Sequence, residues 1–178
     1  WLNNGPYHAK YISAEYTESG RKCSRVLASL APEMNFFDCF FDYHSTPLSE
    51  VIPSSGTGLV FTNFSIEQIP LLRNGFIDEL AELPGVYEVM HLEPVAWQLT
   101  DLGFSNPCGR ESDDDFIKYM KACELENHRR LFNLNLGEML RGAISRDKIV
   151  MDEDFSTQVS CASSVFNPGA RLIWSPKR

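Results

Sequence analysis

Residues 59–90, LVFTNFSIEQIPLLRNGFIDELAELPGVYEVM, contain a strand, a helix and the start of a second strand. Leu59 to Phe64 are β-branched and aromatic for the most part, which is typical of a strand. Apolar residues then recur every three or four positions, as on one face of a helix: Ile66, Ile69, Leu72, Phe76, Leu80 and Leu83. Pro84 and Gly85 end this helix, and residues 86–99 alternate as a strand that bends near Pro94.

The beginning of the predicted helix carries both a capping signal and two breakers. Ser65 is followed three residues later by Gln68, which is the pattern of a capping box. Pro70 and Gly75 both disfavour a regular helix. We therefore expect a helix that is kinked or begins late.

The residues upstream repeat this order of elements. Residues 7–13 read as a strand, and Cys23, Val26, Leu27 and Leu30 share one face of a short helix that Pro32 ends. Residues 34–43, MNFFDCFFDY, have paired rather than alternating apolar positions, which predicts a strand buried on much of both faces. Residues 45–58 are rich in Ser, Pro and Gly and predict a long loop.

The resulting order is strand, helix, strand, strand, helix, strand, which is the order of the ferredoxin-like, or split βαβ, fold. We therefore predict an α+β protein with a ferredoxin-like domain over residues 1–101, an antiparallel sheet carrying two helices. Leu83 to Met90 resembles the second half of many such domains, including the regulatory ACT-like ones. Residues 16–20 lack the ligand loop that this resemblance implies, so no binding residues are carried over.

The last third of the chain has a different pattern. Residues 102–112 read as a linker, and Ser112 followed by three aspartates is typical of a helix start. One long helix or two shorter ones follow, with a break near Asn133, Asn135 and Gly137. Residues 155–161 and 171–174 predict two short strands around a turn at 167–169. Residues 113–178 are thus expected to form a helical segment and a β-hairpin that pack on or extend the first domain.

Charge and cysteine content restrict the classes of function. The net charge is −8 at pH 7, which argues against nucleic-acid binding, although residues 128–130 with Arg141 and Arg146 form a basic cluster. No apolar run is long enough to span a membrane. Five widely spaced cysteines favour a reducing, intracellular compartment. The chain begins without Met, so we expect that a presequence can precede it.

The histidines provide the candidates for catalysis. His8 and His91 lie on predicted strands, where an open sheet face would let them act as general acid and base. Two Cys-x4-His pairs exist, Cys39 with His44 and Cys123 with His128, but this spacing directs the two side chains of a pair to different faces. We therefore predict no metal and no cofactor.

Aromatic residues provide the candidates for partner binding. Residues 36–43 place large apolar side chains on both faces of one strand, and one face has to be covered by something other than the helices. The predicted partner-binding residues are Phe37, Phe41, Trp1 and Trp174. The sequence favours a non-catalytic interaction protein or accessory subunit with a protein partner or a second copy. The alternatives are a small enzyme using the two histidines and a regulatory domain binding a small ligand at a dimer interface.

Overall fold

The computed structural model describes residues 9–99, 113–152, 159–160 and 169–178. Within these ranges the chain has four α-helices and two sheets, which confirms the predicted α+β class. No helix in the described ranges is both long enough and apolar enough to cross a bilayer. The chain divides into two compact units, Trp1–Pro53 and Ser54–Arg178, and the division falls inside the loop predicted at residues 45–58.

The first unit is a parallel strand–helix–strand unit. Its elements are β1 (Lys10–Glu15), α1 (Glu18–Ala28) and β2 (Asn35–Phe40), followed by a 3-10 helix at Leu48–Glu50. The two strands pair in parallel along their whole length, from Lys10 opposite Asn35 to Glu15 opposite Phe40. Thr17 caps α1 by accepting a hydrogen bond from the N–H of Gly20, so the helix begins where a side-chain acceptor is available.

The apolar face of α1 is turned to the surface. Val26, Leu27 and Leu30 share one face as predicted, yet each is more than half exposed. The contacts to the strands are polar instead: Ser24 Oγ lies 2.9 Å from Ser13 Oγ, and Arg25 pairs with Asp38 in β2. The helix therefore buries little apolar surface in the first unit, and no described residue covers its apolar face.

The second unit begins with another parallel strand–helix–strand unit. Its elements are β3 (Gly58–Asn63), a 3-10 helix at Ile66–Gln68, α2 (Phe76–Glu82) and β4 (Val86–Glu93), and β3 pairs in parallel with β4. The α-helix begins late, as predicted, because Gly75 precedes it with φ +78°, a conformation that favours glycine. The predicted strand from 86 to 99 is correct only to Glu93, and Ala96–Leu99 forms a 3-10 helix beyond Pro94.

The remaining elements complete the second unit. They are α3 (Asp113–Arg130), α4 (Leu136–Ser145), β5 (Ile149–Met151), β6 (Val159–Ser160) and β7 (Gly169–Pro176). The predicted helix break near Asn133 is confirmed by the gap between α3 and α4. Most of the predicted strand 155–161 and the turn at 167–168 lie outside the described residues, but β6 does pair antiparallel with β7.

The strand order of the second sheet is β3-β4-β7-β5, with β6 pairing along part of β7. β7 runs antiparallel to both β4 and β5, so the C-terminal strand lies inside the sheet rather than extending it. The ferredoxin-like arrangement is not confirmed. In a split βαβ unit another strand separates the two parallel strands, whereas here β1 contacts β2 directly and β3 contacts β4 directly.

The core of the second unit lies between this sheet and its helices. Its largest fully buried side chains include Trp174, Phe76, Ile66, Ile77, Leu80, Leu99, Leu136, Leu140 and Leu172. Burial of this kind supplies most of the favourable free energy of folding. The predicted apolar stripe of Ile66, Leu72, Phe76 and Leu80 is buried, although a 3-10 helix and a turn carry its first part.

An amide cluster between α3 and α4 holds the loop that follows β3. Asn133 Nδ2 donates to the carbonyl of Ile69 at 2.8 Å, and Asn135 exchanges two hydrogen bonds with the backbone of Leu72. Gln98 Oε1 accepts the N–H of Gly137 at 2.8 Å. A Cβ on Gly137 would lie 2.8 Å from the backbone oxygen of Gln98, so glycine is required there for close approach. The asparagines that break the helix thus satisfy buried backbone groups.

Candidate functional site

Polar groups gather at the carboxyl ends of the parallel strands in both units. In open sheets with parallel strands, ligands bind in the crevice outside these ends, because the loops there can approach a ligand without interrupting strand pairing. In the first unit this position holds Glu15, the last residue of β1, and Asp42, which follows β2. In the second unit it holds the loop of residues 64–67 and Glu93, the last residue of β4.

The carboxylate of Glu15 lies beside the first turn of α1. A Cβ on Gly20 would lie 2.9 Å from Glu15 Oε2 and 3.0 Å from Thr17 Oγ1, so glycine leaves room for this carboxylate. Glu15 is half-buried, and its backbone oxygen accepts the N–H of Phe41 at 3.1 Å, which ties the end of β1 to the end of β2. The end of β1 therefore presents a half-buried glutamate beside α1, whose two carboxylate oxygens are hydrogen-bond acceptors when ionised.

Asp42, in contrast, is engaged by its own turn. Its Oδ1 accepts the N–H of His44 at 2.9 Å, and its Oδ2 accepts the hydroxyl of Ser45 at 2.7 Å. The N–H of Asp42 donates to Thr46 Oγ1 at 3.0 Å. This is the pattern of an aspartate that stabilises a turn. Its role is structural.

His91 is the centre of a buried hydrogen-bond chain in the second unit. The Nε1–H of Trp174 donates to His91 Nε2 at 3.1 Å, and since an indole nitrogen can only donate, Nε2 carries no proton. The proton of the neutral ring is then on Nδ1, which lies 2.9 Å from Thr62 Oγ1 and donates to it. Burial lowers the pKa of His91 to about 4, so the ring is neutral at neutral pH.

The chain continues to Glu93 and to the loop after β3. The Thr62 hydroxyl donates to the Glu93 carboxylate, which also accepts the N–H groups of Ser65, Ile66 and Glu67 at 3.2 to 3.3 Å. Burial raises the pKa of Glu93, and these hydrogen bonds oppose the rise. The predicted cap by Ser65 is absent, because the Ser65 hydroxyl makes no cap bond and Glu93 satisfies the backbone donors.

Phe64 lies at the end of β3 in a conformation that disfavours its side chain. Its φ is +50°, in the left-handed region, and its ring is 43% exposed. Its N–H donates to the carbonyl of Leu92 at 3.0 Å, and its carbonyl accepts Gln68 Nε2 at 3.2 Å. The backbone of Phe64 is thus fixed from both sides.

The structure brings few of the predicted site residues to the surface. His91 is completely buried with both ring nitrogens bonded, and Trp174 is completely buried as its donor. Phe41 is 7% exposed and packs against Tyr43, with ring centroids 4.9 Å apart, whereas Phe37 is 48% exposed. His8 and Trp1 lie outside the described residues.

Sequence reasoning missed Glu15, Phe64 and Glu93. The available signal was position: Glu15 follows a predicted strand, and Glu93 stands directly before Pro94 at a strand end. Nothing in the pattern indicated the left-handed backbone of Phe64, because glycine or asparagine is the residue usually found there. Among the described side chains, no group of three or more His, Cys, Asp or Glu could hold a metal ion.

Comparisons with known proteins add no family to this geometry. No protein-family model matches the sequence, and no curated protein is significantly similar to it. The chemistry of each unit therefore has to be inferred separately, from Glu15 in the first unit and from Phe64 and Glu93 in the second.

Proposed function

We propose that the chain binds an adenosine-containing cofactor at the carboxyl end of β1, with the carboxylate of Glu15 accepting hydrogen bonds from the ribose hydroxyls. The supporting observation is the parallel β1–α1–β2 unit with a half-buried glutamate as the last residue of its first strand. In doubly wound nucleotide-binding proteins an acidic residue also accepts hydrogen bonds from the ribose, about 20 residues after the first turn, whereas Glu15 is at the end of the first strand itself. The likeness is at the level of the fold, and the activity has to come from the site itself.

The charge of the chain favours one cofactor among those that contain adenosine. ATP and NAD carry phosphates, which a chain of net charge −8 repels and which a carboxylate at the site repels further. S-adenosylmethionine has the same nucleoside, no phosphate and a positively charged sulfonium. The function that we propose is therefore S-adenosylmethionine-dependent methyl transfer, in which the sulfonium methyl passes to a nucleophile of the acceptor and S-adenosylhomocysteine leaves.

The test is a calorimetric titration of the full chain with S-adenosylmethionine, S-adenosylhomocysteine and ATP. We expect both S-adenosyl compounds to bind and ATP to bind more weakly. Glu15→Gln should weaken S-adenosylhomocysteine binding by roughly 10- to 100-fold, the value of a hydrogen bond to a charged group. The exposed Glu33→Gln is the matched control and should change nothing. Equal affinities of the Glu15 and Glu33 variants would contradict the proposed role.

A second candidate function is the predicted interaction protein or accessory subunit. It is supported by the exposed apolar side chains of the first unit: Tyr16, Val26, Leu27, Leu30, Phe37 and Phe40. An apolar surface that a single chain leaves uncovered is typical of an interface with a partner or a second copy. This candidate needs neither the ferredoxin-like arrangement nor Trp174, whose indole is committed to the core.

The two other hypotheses are an enzyme that uses two histidines and a regulatory domain that binds a small ligand. Acid–base catalysis by His8 and His91 requires His91 to exchange protons with a substrate, whereas its burial and its two hydrogen bonds favour a structural role. A regulatory domain with a ligand at a dimer interface would combine the small ligand of the first proposal with the apolar surface of the second.

A further inference from the structure

We propose that Phe64 is a binding position for a planar aromatic ring of a small ligand, and that Thr62 and Glu93 are the positioning residues that hold it. All residues that support this proposal lie in the second unit, and it goes beyond the cofactor site at Glu15. Three observations carry it: the backbone strain at Phe64, the buried network that enforces this strain, and the polar residues next to Phe64 in the sequence.

The first observation is that a bulky aromatic residue occupies a conformation in which glycine or asparagine would be favoured. At φ +50° the Cβ of Phe64 is crowded by its own backbone, so the folded protein loses stability by keeping phenylalanine there. Burial does not compensate for the loss, because the ring is 43% exposed. A strained residue that gains little from the core is a candidate for a functional role.

The second observation is that the strain is enforced by a buried side chain. Glu93 is 1% exposed and accepts the three N–H groups that directly follow Phe64. Thr62, two residues before Phe64, donates to the same carboxylate and is itself fixed by His91. The residues on both sides of Phe64 are therefore held from the core, and the left-handed backbone between them cannot relax without breaking buried hydrogen bonds.

The third observation is that the residues next to Phe64 in the sequence are polar. Asn63 and Gln68 are exposed, and Ser65 and Glu67 are half-buried. Phe61 of β3 is 52% exposed as well. Exposed rings next to amide and hydroxyl groups suit a small planar molecule that carries polar substituents. Aromatic rings stack favourably on such a side chain in offset or edge-to-face geometry. The position at the carboxyl end of β3 is where parallel sheets bind ligands.

The test uses two neutral amides that differ in planarity, benzamide and cyclohexanecarboxamide. Each is titrated into the full chain while the backbone amide resonances of residues 64–68 are followed by NMR. We expect benzamide to shift these resonances with an affinity about fivefold to tenfold higher than that of cyclohexanecarboxamide, the value of one aromatic contact. Phe64→Tyr should retain benzamide binding, and Phe64→Gly should abolish the preference for the planar ring.

Three controls keep the result specific. Phe64→Gly removes the strain and should raise the melting temperature, so lost binding cannot be attributed to unfolding. Tyr87→Ala removes an aromatic side chain that is 66% exposed near the opposite end of β4, and it should leave binding unchanged. Thr62→Val should weaken benzamide binding and Thr62→Ser should restore it, because serine keeps the hydroxyl that donates to Glu93.

The proposal is overturned if the wild-type chain binds neither amide, if it binds both equally, or if Phe64→Gly binds benzamide as well as wild type. Failure to bind benzamide would leave a contact with a protein partner as the reason for the exposed ring. No nucleoside is used, so the outcome is independent of the titration with S-adenosylmethionine.

Discussion

Acidification should destabilise this protein through His91. The ring is completely buried and neutral, and burial lowers its pKa from 6.5 to about 4. Because the unfolded chain binds the proton more tightly than the folded chain, the stability contributed by His91 is fully present above the unfolded pKa. This stability is lost as the pH falls from the pKa of His91 in the unfolded chain towards its lower pKa in the folded chain. Protonation would also place a second donor at Nε2, opposite the Nε1–H of Trp174.

The size of this loss follows from the two pKa values. The pKa of His91 is 6.5 in the unfolded chain and about 4 in the folded chain. Acidification from about pH 7.5 to about pH 5 therefore lowers the free energy of unfolding by about 2 kcal/mol. The full difference, reached well below pH 4, is about 3 kcal/mol. Glu93 works in the opposite direction, since its raised pKa means that the folded chain takes up a proton before the unfolded chain does. The stability from Glu93 is therefore present at low pH and is lost as the pH rises.

The assay is urea unfolding of wild type and His91→Gln at both pH values, followed by tryptophan fluorescence. Glutamine can accept the bond from Trp174 and donate to Thr62, but it does not titrate. The variant should be less stable than wild type near neutrality and should lose about 2 kcal/mol less on acidification. The other titrating groups are common to both proteins and cancel in the difference. If wild type and His91→Gln lose the same free energy of unfolding on acidification, the pKa of His91 is not lowered by folding and this prediction is wrong.

Two further predictions concern the core and the uncovered surface. Leu140→Ala, at a position with no exposure, should cost about 3 kcal/mol of unfolding free energy, whereas Leu125→Ala, at 73% exposure, should cost less than about 0.5 kcal/mol in the same urea titration. If the apolar surface of the first unit is an interface between copies, light scattering should give the mass of a dimer for wild type. Phe37→Ser should then give a monomer, and a wild-type monomer would remove this support for self-association.

Periodicity predicted the elements well where the apolar residues of an element face one core. The strand at Leu59, the late start of the helix at Gly75 and the break at Asn133 were all predicted, because local breakers and β-branched residues decide them. The arrangement of strands was not predictable in the same way. Strand order depends on which edges pair, and the alternative pairings of strands separated by helices have similar local patterns.

The candidate site was less predictable than the fold. His91 was expected to lie on an open sheet face, but its side chain is buried, because β7 pairs with β4 and brings Trp174 to the ring. That contact joins residues 83 positions apart and has no local signature. Residues 36–43 were expected to place apolar side chains on both faces of the strand, with Phe37 and Phe41 binding a partner, yet Phe41 is buried and Phe37 is exposed. The strand ends at Phe40, so alternation along it does not decide the position of Phe41.

The position of β7 has a consequence for synthesis of the chain. β4 pairs with β3 on one side, but its other edge is completed only by Gly169–Pro176, with Glu93 opposite Ala170. During translation this edge of β4 leaves the ribosome long before its partner and offers unpaired backbone groups to any other strand in reach. β5 cannot join the sheet before β7 is synthesised either, since β5 pairs with β7. The nascent chain is therefore most vulnerable to mispairing in this interval, when a chaperone that shields β4 would have its greatest effect.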